Sequence, residues 1–262
     1  MDDVQDDRDL PPAATGGPVM EATYSRLRAD ILSGALPPGG KLKLDVLRDR
    51  YDASINTLRE TLSRLVADGL VQSEGQRGFT VVPASLADLR DITEMRRMLE
   101  CEAARRSLQR ADLEWEARVV AAYHKLSRIE AVVDENHERW GGKLEEYNRE
   151  FHAALISACG SRWLLHLFGV MYDQSLRYRM LALQTKDFPR AQSRREHREL
   201  LDAALARDAD RVTEVLGVHI TKGLELYLPL ETDAVAPAPK PARLKPAGPK
   251  PARPRRKNAE TP

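Results

Sequence analysis

Residues 53–82 read ASINTLRETLSRLVADGLVQSEGQRGFTVV, and this stretch decides the fold of the N-terminal part of the chain. Ser54 is a favourable helix N-cap, and the leucines that follow it recur at helical spacing until Gly69 ends the run. Two β-prone segments, LVQSE and GFTVV, then flank a turn at 75–78. The stretch therefore predicts a helix followed directly by a β-hairpin.

Two further helices are predicted upstream of this stretch. Apolar residues recur at helical spacing in YSRLRADIL, LPPGGKL is a turn, and residues 44–51 form the second helix. Residues 52–53 leave room only for a tight turn before the third helix. Two short helices joined in this way are the geometry that places the second one in the major groove of DNA. We therefore predict a winged helix-turn-helix DNA-binding domain over residues 21–84.

Polar residues of the third helix are candidates for DNA contact, because its leucines are expected to pack inward. Arg59 has the geometry for two hydrogen bonds to guanine, which discriminate by about 1–3 kcal/mol. The hydroxyls of Ser54 and Thr57 suit phosphates near a helix N-terminus. In the hairpin, a basic side chain at Arg77 beside bare backbone at Gly78 suits the minor groove or the phosphates. The full set of candidates is Ser54, Asn56, Thr57, Arg59, Arg64, Arg77 and Gly78. From the pattern alone, a small helical subdomain with surface arginines fits equally well.

After Pro83 the sequence predicts helices alone, which over residues 85–230 indicates an antiparallel bundle of about six helices. These helices are predicted at 86–108, 112–134, 143–158, 161–184, 188–206 and 209–228. The predicted fold is thus mainly α, with an N-terminal winged helix-turn-helix and a C-terminal helical bundle.

The two ends of the chain and its composition complete the prediction. Residues 1–20 and 231–262 have the composition of disordered tails, and the second is rich in Pro, Lys and Arg. That basic tail suits either weak, salt-sensitive DNA contacts or a purely solubilising role. The formal net charge is only +1, so a DNA-binding face must be local. No apolar run is long enough for a membrane helix. Two cysteines without a CxxC pattern favour a reduced, cytoplasmic compartment.

Three of the six histidines have informative positions. Asn148 and His152 are four residues apart and share one helix face. His197 and His219 lie on two other predicted helices of the bundle. Imidazoles and an oxygen donor from three bundle helices can converge on one cation, and such a set suits Zn, Ni, Mn or Fe more than Mg. From spacing alone, buried histidines bonded to backbone carbonyls are the commoner alternative.

The segments YSRLRADILSGALPPGGKL, TLRETLSRLVADGLV and QRGFTVV together resemble the N-terminal domain of GntR-family transcriptional regulators. The resemblance covers this domain continuously and implies that it binds an operator in double-stranded DNA. The sequence departs from the family at Ile55, where the family commonly has an arginine. One usual DNA contact is therefore expected to be missing, and the operator is expected to differ.

The C-terminal part resembles the ligand-binding (FCD) domain of the FadR subgroup of that family. The pattern N…FH, then EH..LLDAALARDADR, then a histidine 22 residues after the second one carries this resemblance. It implies a divalent metal beneath an organic-acid pocket, held by Asn148, His152, His197 and His219. Asn148 stands where the family usually has Asp. One negative charge is lost there, so we expect weaker metal binding unless an anionic ligand completes the site.

The resemblance also implies a homodimeric repressor controlled by a small carboxylate effector. RRMLECEAARRS resembles the first helix of the bundle, and Arg96 within it is the best candidate to pair with a carboxylate. Tyr172, Arg177 and Tyr178 are secondary candidates. The sequence of the bundle is similar to those of regulators of glutarate and related short-dicarboxylate catabolism.

Two other functions remain open on the sequence. A metal held by three histidines with open positions also describes catalytic sites, although no HExxH-like base accompanies it here. An architectural DNA-binding protein, whose bundle only dimerises, would need no effector. Interpreting the protein as a transcriptional regulator accounts for both halves of the chain, so we predict that it is not an enzyme.

Overall fold

The computed structural model describes residues 17–75, 78–134, 136–183 and 190–225. Within these ranges the chain forms nine helices and three short strands. In chain order they are α1 Pro18–Leu32, β1 Lys41–Leu42, α2 Leu44–Tyr51, α3 Ile55–Ala67, β2 Val71–Ser73, β3 Phe79–Val81, α4 Leu86–Gln109, α5 Leu113–Glu130, α6 His137–Ile156, α7 Arg162–Leu183, α8 Arg190–Leu205 and α9 Ala209–Glu225. The predicted mainly α fold, a winged helix-turn-helix followed by a helical bundle, is confirmed.

The N-terminal unit packs α1, α2 and α3 around a small core beside a three-stranded antiparallel sheet. Leu58, Leu62 and Leu65 form the buried face of α3, which leaves the opposite face of that helix outward. The sheet has the order β1-β3-β2, and β1 pairs with β3 through Lys41 and Thr80. The sequence did not predict β1, because two residues are too few to show a period of two.

Two helices begin earlier than predicted. α1 begins at Pro18, whereas a disordered tail was predicted through residue 20. Proline suits the first turn, because its missing N–H is not needed there and its φ angle is already helical. α6 begins at His137 instead of about residue 143, because the side chain of Asn136 caps it by accepting from the amide of Arg139 at 3.0 Å.

The bundle packs α4 against α7 and α9, and α5 against α6 and α8. Its core is built from large buried side chains such as Trp115, Phe151 and Leu155. The indole of Trp115 donates to the carbonyl of Leu155 at 3.2 Å, so its polar atom is satisfied within the apolar core. This packing fixes α6, α8 and α9, the three helices that carry the predicted metal ligands. Within the described ranges, no helix combines the length and apolar character of a membrane span.

α7 belongs to the bundle but also reaches the N-terminal unit. It contacts α1, and Leu176 packs against the N-terminal core. The predicted tail at 231–262 lies outside the described residues.

Candidate functional site

Three histidines from three helices meet inside the bundle. His152 on α6, His197 on α8 and His219 on α9 are all buried, and each has a ligand nitrogen within 4.8 Å of those of the others. The ring centroids of His197 and His219 are 4.6 Å apart, and those of His152 and His219 are 5.4 Å apart. The predicted convergence of these three side chains is therefore present in the fold.

A carboxylate faces the Nδ1 atom of each ring. Glu100 lies 2.7 Å from His152, Glu130 lies 2.7 Å from His197, and Glu196 lies 2.8 Å from His219. Sequence reasoning missed all three carboxylates as ring partners. A carboxylate on Nδ1 holds the proton there and leaves the Nε2 lone pair for a metal. The three Nε2 atoms are buried and have no hydrogen-bond partner among the described residues.

The protonation states suit metal ligands. Burial lowers the pKa of His152, and it lowers the pKa of His219 to about 3, because the charged ring loses its hydration. Both rings are therefore neutral at pH 7, as a metal ligand must be. Burial would raise the pKa of Glu100, but the Arg96 guanidinium and the adjacent His152 ring outweigh it and bring that pKa to about 2. Glu100 is thus an anion inside the bundle.

Asn148 lies one turn before His152 and is also buried. Its Nδ2 donates to the hydroxyl of Tyr172 at 2.7 Å, while its Oδ1 has no partner among the described residues. Each buried polar atom left without a partner costs roughly 1–3 kcal/mol. Three imidazole nitrogens and one amide oxygen are thus buried without a hydrogen-bond partner among the described residues. Nitrogen-rich donors of this kind fit a divalent transition metal better than Mg.

Arg96 lies beside this donor set and is itself buried. Its Nε donates to Glu100 at 2.8 Å, one terminal nitrogen donates to Ser175 at 3.2 Å, and the guanidinium lies over the ring of Tyr172 at 4.7 Å. Its other terminal nitrogen is buried without a partner among the described residues. The two N–H groups of that nitrogen are therefore available to an anion, beside the ring of Tyr172.

The structure does not bring Arg177 and Tyr178 to this place. Arg177 donates to the carbonyl of Val82 at 3.3 Å and pairs with Asp88, and the hydroxyl of Tyr178 bonds to Ser85 and Asp88. Both side chains thus contact the connection between β3 and α4 and the first turn of α4, where Asp88 lies. They follow Tyr172 by five and six residues, a spacing that does not keep side chains on one helix face.

The outward face of α3 carries most of the predicted DNA contacts. Asn56 and Arg59 are exposed, and no hydrogen bond or ion pair to another described residue engages Arg59. The hydroxyls of Ser54 and Thr57 share a hydrogen bond of 2.9 Å, and the Ser54 hydroxyl also accepts from the amide of Thr57 at 3.1 Å. Ser54 and Thr57 therefore cap the N-terminal end of α3.

Arg64 differs from the other predicted DNA contacts. Its guanidinium pairs with Glu21 at 2.6 Å and lies 3.8 Å from the ring centroid of Tyr24. It therefore joins α3 to α1 instead of projecting from α3. In the hairpin, Gly78 has a φ of 95° and open space around its Cβ position. Arg77 lies outside the described residues.

Comparisons with known proteins divide the chain as its fold does. The model of the gntR family of bacterial regulatory proteins matches residues 20–81, and the FCD domain model matches residues 91–222. The uncharacterized HTH-type transcriptional regulator BphR of Paraburkholderia xenovorans (strain LB400) is 45% identical over 82% of this chain and 87% of that protein. The HTH-type transcriptional repressor GlaR of Escherichia coli (strain K12) is 33% identical over 75% of this chain and 90% of that protein.

A solved structure has a similar fold. E. coli McbR/YncC superposes with a TM-score of 0.67 at 20% identity, covering 81% of this chain and 98% of that one. At this identity the likeness concerns the fold alone.

Proposed function

Because the chain belongs to the GntR family of bacterial regulatory proteins and carries an FCD domain, it is a DNA-binding transcriptional regulator and not an enzyme, and we propose that a small organic acid controls its affinity for an operator. In this proposal residues 21–84 contact DNA, and residues 85–230 bind the effector and pair two chains. The observation that carries it is the group of buried, unpartnered donor atoms inside the bundle, beside the unpartnered nitrogen of Arg96.

The proposed metal ligands are Asn148, His152, His197 and His219. Three buried Nε2 atoms and one buried Oδ1 atom without partners support this assignment, as do the carboxylates that orient the rings. A bound Zn, Ni, Mn or Fe ion would supply a concentrated positive charge to which a carboxylate oxygen binds. None of the four proposed ligands would bring a negative charge to the ion, and only the carboxylates behind the rings would offset its charge, which leaves the remaining positions open to an anionic effector.

Arg96 and Tyr172 are the proposed effector contacts within the chain. The free nitrogen of Arg96 is a charge-assisted donor for a carboxylate, and Glu100 and Ser175 hold its guanidinium in place. The ring of Tyr172 lies against the Arg96 guanidinium, and its hydroxyl is bonded to Asn148. The proposed effector is a small carboxylate, and a short dicarboxylate such as glutarate is the first to test.

Asn56 and Arg59 are proposed to meet base edges, with Ser54, Thr57 and the hairpin residues Arg77 and Gly78 near the phosphates. A homodimer would present two copies of α3 to the half-sites of a palindromic operator. We propose repression that the effector relieves, since a relative at 33% identity is named a repressor.

A thermal-shift experiment tests the metal and effector part of the proposal. The chelator-treated protein is melted with Zn²⁺, Ni²⁺ or Mn²⁺, with and without glutarate. Metal is expected to raise the melting temperature, and glutarate is expected to raise it further only when metal is present. His197→Ala should lose both shifts. His124→Ala, which changes an exposed histidine on α5, should keep both.

Two results would count against the proposal. If the wild-type protein melted identically with chelator and with every metal, the histidine cluster would not be a metal site. If metal stabilised the protein but a panel of small carboxylates gave no further shift, the metal would be structural and the bundle would not sense an organic acid. A DNA-binding protein whose bundle only dimerises would give the second result.

A further inference from the structure

Two neighbouring side chains of α7 bond to the proposed effector site. The hydroxyl of Tyr172 accepts from Nδ2 of Asn148 at 2.7 Å, and the hydroxyl of Ser175 accepts from Arg96 at 3.2 Å. The two residues are three apart, so they share one face of the helix. Any reorientation of Asn148 or Arg96 on ligand binding therefore acts directly on this turn of α7.

The residues between them bond to the N-terminal unit. Asp173 forms ion pairs with Arg28 of α1 and with Arg149, the neighbour of Asn148 on α6. Gln174 donates from its Nε2 to the carbonyl of Asp68 at 2.5 Å. Both ion pairs and the hydrogen bond from Gln174 are at least partly buried, so water competes with them less than at an open surface.

Asp68 is the C-cap of α3, the helix proposed to enter the DNA groove. Its carboxylate accepts from the hydroxyl of Tyr24 at 2.7 Å, which ties the same residue to α1. Gly69 follows with a φ of 71°, and a Cβ atom there would lie 3.2 Å from Nε2 of Gln174. The end of α3 is therefore shaped to receive the Gln174 side chain.

We infer that Asp173 and Gln174 are positioning residues that transmit the occupancy of the histidine site to the recognition helix. The inference rests on the proposed function and adds a route to it. The bonds to the effector site and the bonds to α1 and α3 all come from residues 172–175, which lie within one turn of α7, about 5 Å of rise. A packed helix turn moves as a unit, so a shift of Tyr172 and Ser175 displaces the partner of Asp68.

Hydrogen exchange of the full chain tests this route with Zn²⁺ alone as the probe. Wild type should show Zn²⁺-dependent exchange both around His197 and at the amides of residues 68–70, which close the end of α3. At those amides a change of roughly fivefold is expected, the effect of about one hydrogen bond. Gln174→Ala should keep the response around His197 and lose it at 68–70. Gln174→Met, which keeps most of the side-chain volume, should behave in the same way.

Gln109→Ala is the matched control, because Gln109 is exposed at the end of α4. It should respond as wild type does at both places. Protection around His197 without any change at 68–70 in wild type would overturn the inference and leave the metal site intact. A normal response at 68–70 in both Gln174 variants would overturn it as well.

An absence of Zn²⁺ protection around His197 would instead refute the metal site of the proposed function. In that case the inference is tested without Zn²⁺, by hydrogen exchange of Asn148→Ala, which lacks the hydrogen bond to Tyr172. The route predicts altered exchange at 68–70 in this variant, and it predicts that Gln174→Ala shows the same exchange at 68–70 with and without Asn148→Ala. Unchanged exchange at 68–70 in Asn148→Ala would overturn it.

Discussion

The carboxylate of Glu100 lies 2.7 Å from Nδ1 of His152 and uses its other oxygen to accept from Arg96 at 2.8 Å. One buried anion thus orients a proposed metal ligand and a proposed effector contact together. Its hydrogen bond to His152 fixes the ring tautomer that offers Nε2 to a metal. Its ion pair holds the guanidinium of Arg96 at the same site, so metal affinity and effector affinity should depend on one another through Glu100.

Glu100→Gln should therefore weaken metal binding although no proposed ligand is changed. Loss of a carboxylate behind a ligating histidine typically lowers metal affinity by about 10- to 100-fold. Zn²⁺ affinity, measured by competition with a chromophoric chelator, is the readout. Glu102→Gln, half-exposed on the same helix, is the control and should bind Zn²⁺ as wild type does. Equal Zn²⁺ affinities of all three proteins would show that Glu100 has no part in holding the ligand.

The histidine cluster could be predicted from the sequence, but its carboxylate layer could not. His152, His197 and His219 stand out because their arrangement resembles that of the FCD domain, whereas from spacing alone histidines bonded to backbone carbonyls were the commoner alternative. Glu100 and Glu130 are separated from their histidines by 52 and 67 residues, and nothing in a helical period links them. Glutamate is also a common surface residue, so a buried one is not expected from its position in a sequence.

Placement within a helix was harder to predict than the helix itself. The period of α3 correctly predicted its buried leucines, and it placed Arg64 among the polar residues. It could not show that Glu21, 43 residues away, forms an ion pair with Arg64. The same limit applies to Arg177 and Tyr178, whose partners lie about 90 residues upstream, in the connection to α4 and in the first turn of that helix. Contacts between units depend on tertiary packing, which a local period does not encode.

Asn148→Asp should strengthen metal binding and weaken the response to a carboxylate. It adds a negative charge beside the three imidazoles. Two unit charges 4 Å apart attract by about 4 kcal/mol at an effective dielectric of about 20, although burying the carboxylate cancels part of this. We expect Zn²⁺ affinity to rise at least about tenfold. Chelator competition measures this affinity, and a thermal-shift titration with glutarate measures the response.

The same carboxylate would neutralise part of the charge that attracts an anionic effector. Asn148→Leu is the contrasting variant, since it removes the oxygen without adding a charge and should bind metal more weakly than wild type. If Asn148→Asp and Asn148→Leu had the same Zn²⁺ affinity, the side chain at this position would not be a ligand.

Arg59→Ala and His197→Ala should separate DNA binding from sensing. Arg59 is exposed on the outward face of α3, so its loss should abolish specific operator binding and cost about 1–3 kcal/mol of discrimination at its base. His197 is buried in the bundle, and its loss should leave DNA binding intact while removing the effector response. Electrophoretic mobility shifts distinguish the two variants, with the DNA upstream of the gene that encodes this chain as the probe, in the presence and absence of glutarate. Arg118→Ala, exposed on α5, is the basic control; an effect as large as that of Arg59→Ala would indicate general charge loss.

Arg64→Ala should act on stability and not on base recognition, because its guanidinium is held between Glu21 and the ring of Tyr24. Loss of the stacking and the partly exposed ion pair should lower the free energy of unfolding by about 1 kcal/mol. Urea denaturation measures this change. Relative affinities for operators with single-base substitutions should match those of wild type, since no base contact is removed.

A changed base preference at one operator position, with unchanged stability, would mean that Arg64 leaves Glu21 and enters the groove when DNA binds. Arg64→Lys helps to separate the two cases, because lysine keeps the charge but loses the planar stacking on Tyr24.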